Sequence, residues 1–220
     1  MENVEELRRK VRELEERIEW YEENQKHLEN LIDEYNELVK KQFEDYDELM
    51  KEIGSRTAID PITRTYNRNY IMKLMGMCHQ KAFEDKKKYA LIFLDVDKFG
   101  RINERYGRDA GDKVLTKIAR FLKANLRIPL DIIGRIGADE FLVLLVEISK
   151  DDAIKVAKRL HENLGEFEMK LDGENLKINV SVSMVHYPED GNSVEELLEL
   201  GEELINRTKA ERDGGLRYLG

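Results

Sequence analysis

Residues 4 to 53 carry an unbroken heptad, and no other feature constrains the fold of this chain as strongly. The a positions are Val4, Val11, Ile18, Gln25, Ile32, Val39, Tyr46 and Ile53. The d positions are Leu7, Leu14, Tyr21, Leu28, Tyr35, Gln42 and Leu49. Apolar spacing of three and four over this length makes the narrow seam of a coiled coil. β-Branched residues at a with Leu at d favour a parallel two-stranded arrangement, and a buried Gln fixes register at some cost in stability. The expected dimer contacts are therefore Val4, Leu7, Val11, Leu14, Ile18, Tyr21, Leu28, Ile32, Tyr35, Val39, Leu49 and Ile53. A lone helix lying on its own domain fits less well, because most other positions are charged and leave no second apolar face. Leu31, Leu38 and Phe43 widen the stripe locally and leave higher oligomers open.

Composition narrows the classes. Charged residues make up 38% of the 220 residues, against about a quarter in an ordinary domain. The bias suits a long exposed helix and also a heat-adapted source. A formal net charge of −9 argues against nucleic acid as a partner. An anionic small molecule would need a locally positive or metal-filled site. Cys78 is the single cysteine, so no intrachain disulfide can form and a reducing cytoplasm is expected. No apolar run approaches a membrane span, and MENVEELRRK does not read as a signal peptide.

Gly54, Ser55 and Pro61 end or interrupt the helix. The spacing predicts a dimerisation helix over 1–57 and a second domain over 58–220. Tyr89 to Val96 (YALIFLDV) reads as a buried strand. Asp112 to Leu126 has helical spacing. Ile132 to Ile136 and Phe141 to Val146 read as strands joined by the tight turn Gly137-Ala138-Asp139-Glu140. Asp151 to Leu164 is predicted helical, Leu176 to Tyr187 a strand and Ser193 to Lys209 a final helix. That order implies an α+β sandwich, a mostly antiparallel central sheet flanked by helices.

Asp95 and Asp97 close the strand in LDVD, on one face of it. Asp139 and Glu140 sit at the hairpin tip. Carboxylates from two neighbouring turns can converge on a hard cation such as Mg²⁺, which prefers oxygen ligands and keeps some waters. Alone, such carboxylates are more often just solvated.

Four segments in order resemble the GGDEF domains of diguanylate cyclases. They are DPITRTYNRNY (60–70), DVDKFGRINERYGRDAGD (95–112), RIGADEF (135–141) and HYPEDG (186–191). The resemblance spans about residues 58 to 212. It implies that the 3′-hydroxyl of one GTP attacks the α-phosphorus of another across a homodimer, and that two such steps give cyclic di-GMP and two pyrophosphates. It implies Mg²⁺, with Mn²⁺ an alternative, held by Asp95, Asp139 and the Val96 carbonyl, with Glu140 assisting. Asp139 is also the position that activates the hydroxyl. Asn103 and Asp112 match the guanine-reading pair, for which a carboxylate and an amide are chemically suited. Without the resemblance both would be read as helix caps. Lys209 matches a lysine that holds terminal phosphates, and Gly137 and Ala138 lie in the turn beside the nucleotide.

The chain also departs from the pattern. Ala138 replaces the second glycine, where a positive φ would disfavour alanine and a methyl group could crowd the substrate. Gly100 stands where a charge-stabilising lysine is usual. Arg108 replaces a histidine, Ser183 a strand glycine, Asn206 a tyrosine and Asp213 a phosphate-binding arginine, with Arg212 one place away. The product-inhibition motif Arg-x-x-Asp is broken. Asp131 is in place, but Ile128 holds the arginine position and Arg127 sits one residue too far, so that site is expected to be absent or altered. These departures motivate an alternative expectation, a weak or inactive domain serving as a GTP-binding or dimeric signalling scaffold.

Overall fold

A computed structural model describes residues 58–165, 167–171, 174–211 and 214–219, together with Lys10, Arg17, Trp20, Tyr21, Asn24 and Gln25. The chain divides into two compact units, Met1–Ser55 and Arg56–Gly220. In the first, the six described residues are helical, and Trp20 and Tyr21 are exposed and pack edge to face. The rest of the expected seam lies outside the described residues.

The second unit is built on a six-stranded mixed sheet. Its strands are β1 (Tyr66–Asn67), β2 (Tyr89–Val96), β3 (Ile132–Arg135), β4 (Glu140–Val146), β7 (Val180–Tyr187) and β8 (Leu216–Tyr218). The order is β1-β3-β4-β2-β7-β8. The four central strands pair antiparallel, and the short edges β1 and β8 pair parallel to β3 and β7. The α+β fold expected from the sequence is thus the fold observed. β5 (Glu168–Leu171) and β6 (Glu174–Lys177) form a separate ribbon.

Every residue of β2 is buried, so helices must cover both faces of the sheet. Ala90, Ile92, Leu94 and Val96 enter one core with Val114, Leu115, Ile118 and Leu122 of α3 (Arg108–Asn125) and Ala153, Ala157, Leu160 and Leu164 of α4 (Lys150–Gly165). The opposite face, through Phe93, meets α5 (Val194–Glu211) at Gly201. A Cβ at 201 would lie 2.0 Å from the Phe93 ring, so the helix approaches this closely only because the residue is glycine. Asp95, two residues beyond Phe93, therefore points to the face that α5 covers.

The structure corrects the predicted elements: the strands β1, β5 and β8 were not expected, and three further places differ. α1 (Arg68–Asp85) was not expected. Tyr70, Ile71, Leu74 and Met75 are its buried stripe, but exposed Met77 and Phe83 blur the periodicity. The helix expected from Asp112 starts at Arg108 and is preceded by a separate α2 (Phe99–Tyr106). Gly107, at φ 83° and ψ 163°, divides the two in a region of backbone space open essentially to glycine alone. The strand expected over Leu176–Tyr187 breaks at Ile178 and Asn179. The Ile178 amide bonds to Phe167, whereas the Asn179 carbonyl accepts from Asp97.

Candidate active site

The C-terminal end of β2 and the β3–β4 turn lie side by side. Asp95 is directly opposite Glu140 on β4 and opposite Ser181 on β7. One residue further, the Val96 amide donates to the Asp139 carbonyl at 3.1 Å. This ladder brings Asp95, Val96, Asp139 and Glu140 together from segments 43 to 45 positions apart.

Asp95 is 4% exposed. Its Oδ2 accepts from Lys209 Nζ of α5 at 2.9 Å, while its Oδ1 is buried without a hydrogen-bond partner. An unpaired buried carboxylate oxygen is costly unless something else satisfies it. Asp139 and Glu140 sharpen the imbalance. Burial raises the pKa of each, the Asp95 charge raises both further, and Asp139 raises Glu140. Burial would lower the Lys209 pKa, but the bond to Asp95 and the charges of Asp95, Asp139 and Asp97 outweigh it, and the pKa is raised. Lys209, which a solvated helix face could also have explained, is part of this cluster.

The residues fit a hard cation that brings ligands of its own. Among the described residues, no three Asp, Glu, His or Cys side chains form a ready cage. An orphaned Asp95 oxygen, a raised Asp139 carboxyl and adjacent backbone carbonyls supply part of a shell. Mg²⁺ is bound in this way, through one or two carboxylates plus waters and substrate phosphates.

Asp97 plays another part. Its carboxylate accepts from Ser181 Oγ at 2.8 Å and from the Gly214 amide at 2.6 Å, tying β2 to β7 and to the segment before β8. The two aspartates of LDVD thus divide into one for the site and one for the scaffold.

The turn is braced from beneath by Arg135. Its guanidinium donates to the Gly137 carbonyl at 3.1 Å and to the Ala138 carbonyl at 2.7 Å, and it pairs with Asp60 at 3.2 Å. Burial acts to raise the Asp60 pKa, but hydrogen bonds from Thr63 and the Arg135 charge outweigh it and hold the carboxyl below its ordinary value. Arg68 adds a long bond of 3.4 Å to the Ile136 carbonyl. Sequence reasoning gave Asp60 and Arg135 no role. Both stood in the quoted motifs, but nothing local relates residues 75 positions apart.

At 137 a side chain would meet the Glu140 carboxylate, which would have to shift. A Cβ there would come within 2.0 Å of Glu140 Oε2. Ala138 is exposed and does not take a positive φ, so the backbone reason for expecting strain there falls away.

Asn103 and Asp112 follow on the helices that leave β2. Neither is a helix cap. Asn103 lies inside α2, and Gly107 occupies the cap of α3. Asn103 Oδ1 is buried without a partner and lies where a Cβ of Gly111 would be, 2.0 Å away. Asp112, the next residue, is half-buried. A second buried polar atom is therefore left unsatisfied.

Gly100 is exposed on α2, with open space around its Cβ position, and Arg108 and Asn206 are also exposed. Arg212 and Asp213 lie outside the described residues. Ser183 Oγ donates to the Gly201 carbonyl. Arg127 turns inward, forming a fork with Asp131 at 2.7 and 3.0 Å and reaching the Val146 carbonyl. Ile128 is half exposed beside it.

Residues 57–214 match the family described as the GGDEF domain of diguanylate cyclases. The chain is 31% identical over 163 residues to the uncharacterised protein YhcK of Bacillus subtilis, covering 73% of this chain and 45% of that one. It is 29% identical over 156 residues to the probable diguanylate cyclase DgcT of Escherichia coli, covering 68% and 33%. Among solved structures, the GGDEF domain of TpbB from Pseudomonas aeruginosa superposes with a TM-score of 0.69 at 29% identity, covering 74% of this chain and 94% of that one. The chain spans less than half the length of these curated relatives.

Proposed function

This chain belongs to the GGDEF domain family of diguanylate cyclases, and from that premise we propose that it condenses two GTP molecules into cyclic di-GMP and two pyrophosphates, one GTP on each chain of a homodimer. The observation that carries the reading is the unsatisfied oxygen of Asp95 beside the raised carboxyl of Asp139. Asp95, Asp139 and the Val96 carbonyl, with Glu140 in support, would hold Mg²⁺ or Mn²⁺. When bound, the ion neutralises phosphate charge and lowers the pKa of a nearby hydroxyl.

The protein's own groups do the rest. Asp139 carboxylate accepts the proton of the 3′-hydroxyl as that oxygen bonds to the α-phosphorus of the other GTP and pyrophosphate leaves. Lys209 takes terminal phosphate oxygens. Asn103 and Asp112 read guanine, and adenine would leave these groups badly paired. Arg135 keeps the turn in place.

Gly100 supports a second reading, a slow or silent domain that binds GTP, because no cation stands at that position of α2. One assay separates the two. The protein is incubated with GTP and Mg²⁺ and the nucleotides are resolved by chromatography, in parallel with Asp139→Asn and Asp112→Ala. Cyclic di-GMP from the parent and none from Asp139→Asn is the expected result. Asp112→Ala should erase most of the preference for GTP over ATP, about 1.5–3 kcal/mol per charged hydrogen bond. Undiminished product from Asp139→Asn would remove that residue from the mechanism. Tight GTP binding without product would favour the scaffold.

A further inference from the structure

The proposed metal carboxylate is already paired within the chain. Lys209 Nζ sits 2.9 Å from Asp95 Oδ2, and Asp95 is nearly inaccessible at 4% exposure. The ammonium is itself partly exposed, with its side chain at 39%. It rides near the end of α5, a helix pinned against the sheet at Gly201. One end of the pair is therefore buried, and the other borders solvent. Asp139 and Glu140 stand on the same rim, and Lys209 is the cation that offsets both charges.

We propose that Lys209 is a built-in counterion that holds Asp95 closed to a free divalent ion and releases it only when the phosphates of a nucleotide take over the ammonium. The proposal rests on the reading of Asp95 as a metal ligand given above. Its physical basis is exchange. With no ligand, a free ion must displace an ammonium from a desolvated carboxylate and leave that ammonium without its partner. With a nucleotide present, the phosphate oxygens receive the ammonium while Asp95 receives the ion, so both charges stay paired. Metal and nucleotide then bind with positive coupling, and each raises the affinity for the other by the same factor. The site would fill with the metal–nucleotide complex and resist a lone ion. The second oxygen, Asp95 Oδ1, is unpaired but buried, so it too is closed to an ion while Lys209 stays in place.

The test is a Mn²⁺ titration of the full chain, read by the electron paramagnetic resonance signal of the free ion, without nucleotide and with a non-hydrolysable GTP analogue. Lys209→Met should tighten Mn²⁺ binding without nucleotide by roughly tenfold, the equivalent of about 1.4 kcal/mol. The same variant should lose most of the gain that the analogue confers on the parent. Arg207→Met is the control for diffuse charge, since Arg207 lies on the same helix and pairs with Glu203 rather than Asp95. It should leave both titrations unchanged. Equal tightening in the two variants, or none in Lys209→Met, overturns the counterion role. Asp95→Asn tests the premise separately. If it binds Mn²⁺ as well as the parent does, Asp95 is not a ligand and the proposal falls with that reading.

Discussion

At single residues, the site works against the stability of the fold that carries it. Asp95 and Glu140 face each other across the β2–β4 ladder with Asp139 beside them. Burial, then the neighbouring charges, raises the pKa of Asp139 and of Glu140. A carboxyl whose folded pKa is raised favours the folded state below its unfolded pKa, and that contribution is lost as pH rises through the folded value. Without metal, Asp139→Asn and Glu140→Gln should therefore melt above the parent at neutral pH, by on the order of 0.5–1 kcal/mol. The difference should shrink as pH falls through the raised carboxyl range, and Mg²⁺ with GTP should reverse it. Scanning calorimetry across pH checks this, and a variant less stable than the parent at pH 7 would contradict it. Asp60 and Glu189 act with the opposite sign. Burial opposes their ionisation but hydrogen bonds and nearby cations hold both pKa values down, so their contribution fades as pH falls through those lowered values. Gly100 offers a gain instead. The space around its Cβ is open, so Gly100→Lys should fold at least as well and raise turnover by placing a cation near the transferring phosphoryl group. Turnover measured at saturating GTP decides, and no rise in an already fast enzyme would assign that charge to Lys98 or Arg101. Ala138→Gly has only relief of crowding in its favour as a route to better GTP affinity, because the turn does not demand a positive φ there.

At the scale of elements, the β3–β4 turn is held by a fork from below. Arg135 spans the Gly137 and Ala138 carbonyls and Asp60 in the segment before β1, and both partners of that ion pair are largely buried. Removing one partner of such a pair strands the other. Arg135→Met should cost about 2–4 kcal/mol in urea unfolding, where hydrogen bonds to charged groups contribute about 1.5–3 each. It should also weaken metal–nucleotide binding, whereas Arg135→Lys, a point charge without the fork, should restore the first in part and the second poorly. Binding unchanged in Arg135→Met would reduce the fork to a purely structural brace. Other element boundaries depend on the same kind of distant contact. β1 and β8 are two and three residues long and exist as strands through their neighbours β3 and β7.

For the whole molecule, the proposed condensation of two GTP would need two chains, and the heptad over 4–53 is the part of the sequence proposed to supply them. A fully buried seam residue contributes about 1.5–3 kcal/mol, and an Asp at an a position adds the cost of a buried charge. Replacing Ile18 and Ile32 together by Asp should give monomers in light scattering and, on the present reading, abolish product formation while leaving GTP binding in place. A persistent dimer would move the main contact elsewhere. Among the described residues, no helix is long and apolar enough to cross a membrane.

The sequence alone determined what depends on pattern and local chemistry. The apolar runs of β2 and β4 and the α+β class were legible because each is written within a few residues, whereas nothing local marked Gly107 as the divider of α2 and α3. Tertiary structure alone decided how these parts share charge. It separated Asp95, left with an unpaired oxygen, from Asp97, spent on Ser181 and Gly214. It removed the expected backbone need for glycine at 138, where φ is not positive. It set Lys209 on Asp95 across 114 positions. The reason is physical. Propensity and periodicity act over one or two turns of chain, whereas desolvation and Coulomb energy depend on distances in space, which exist only once the sheet has closed.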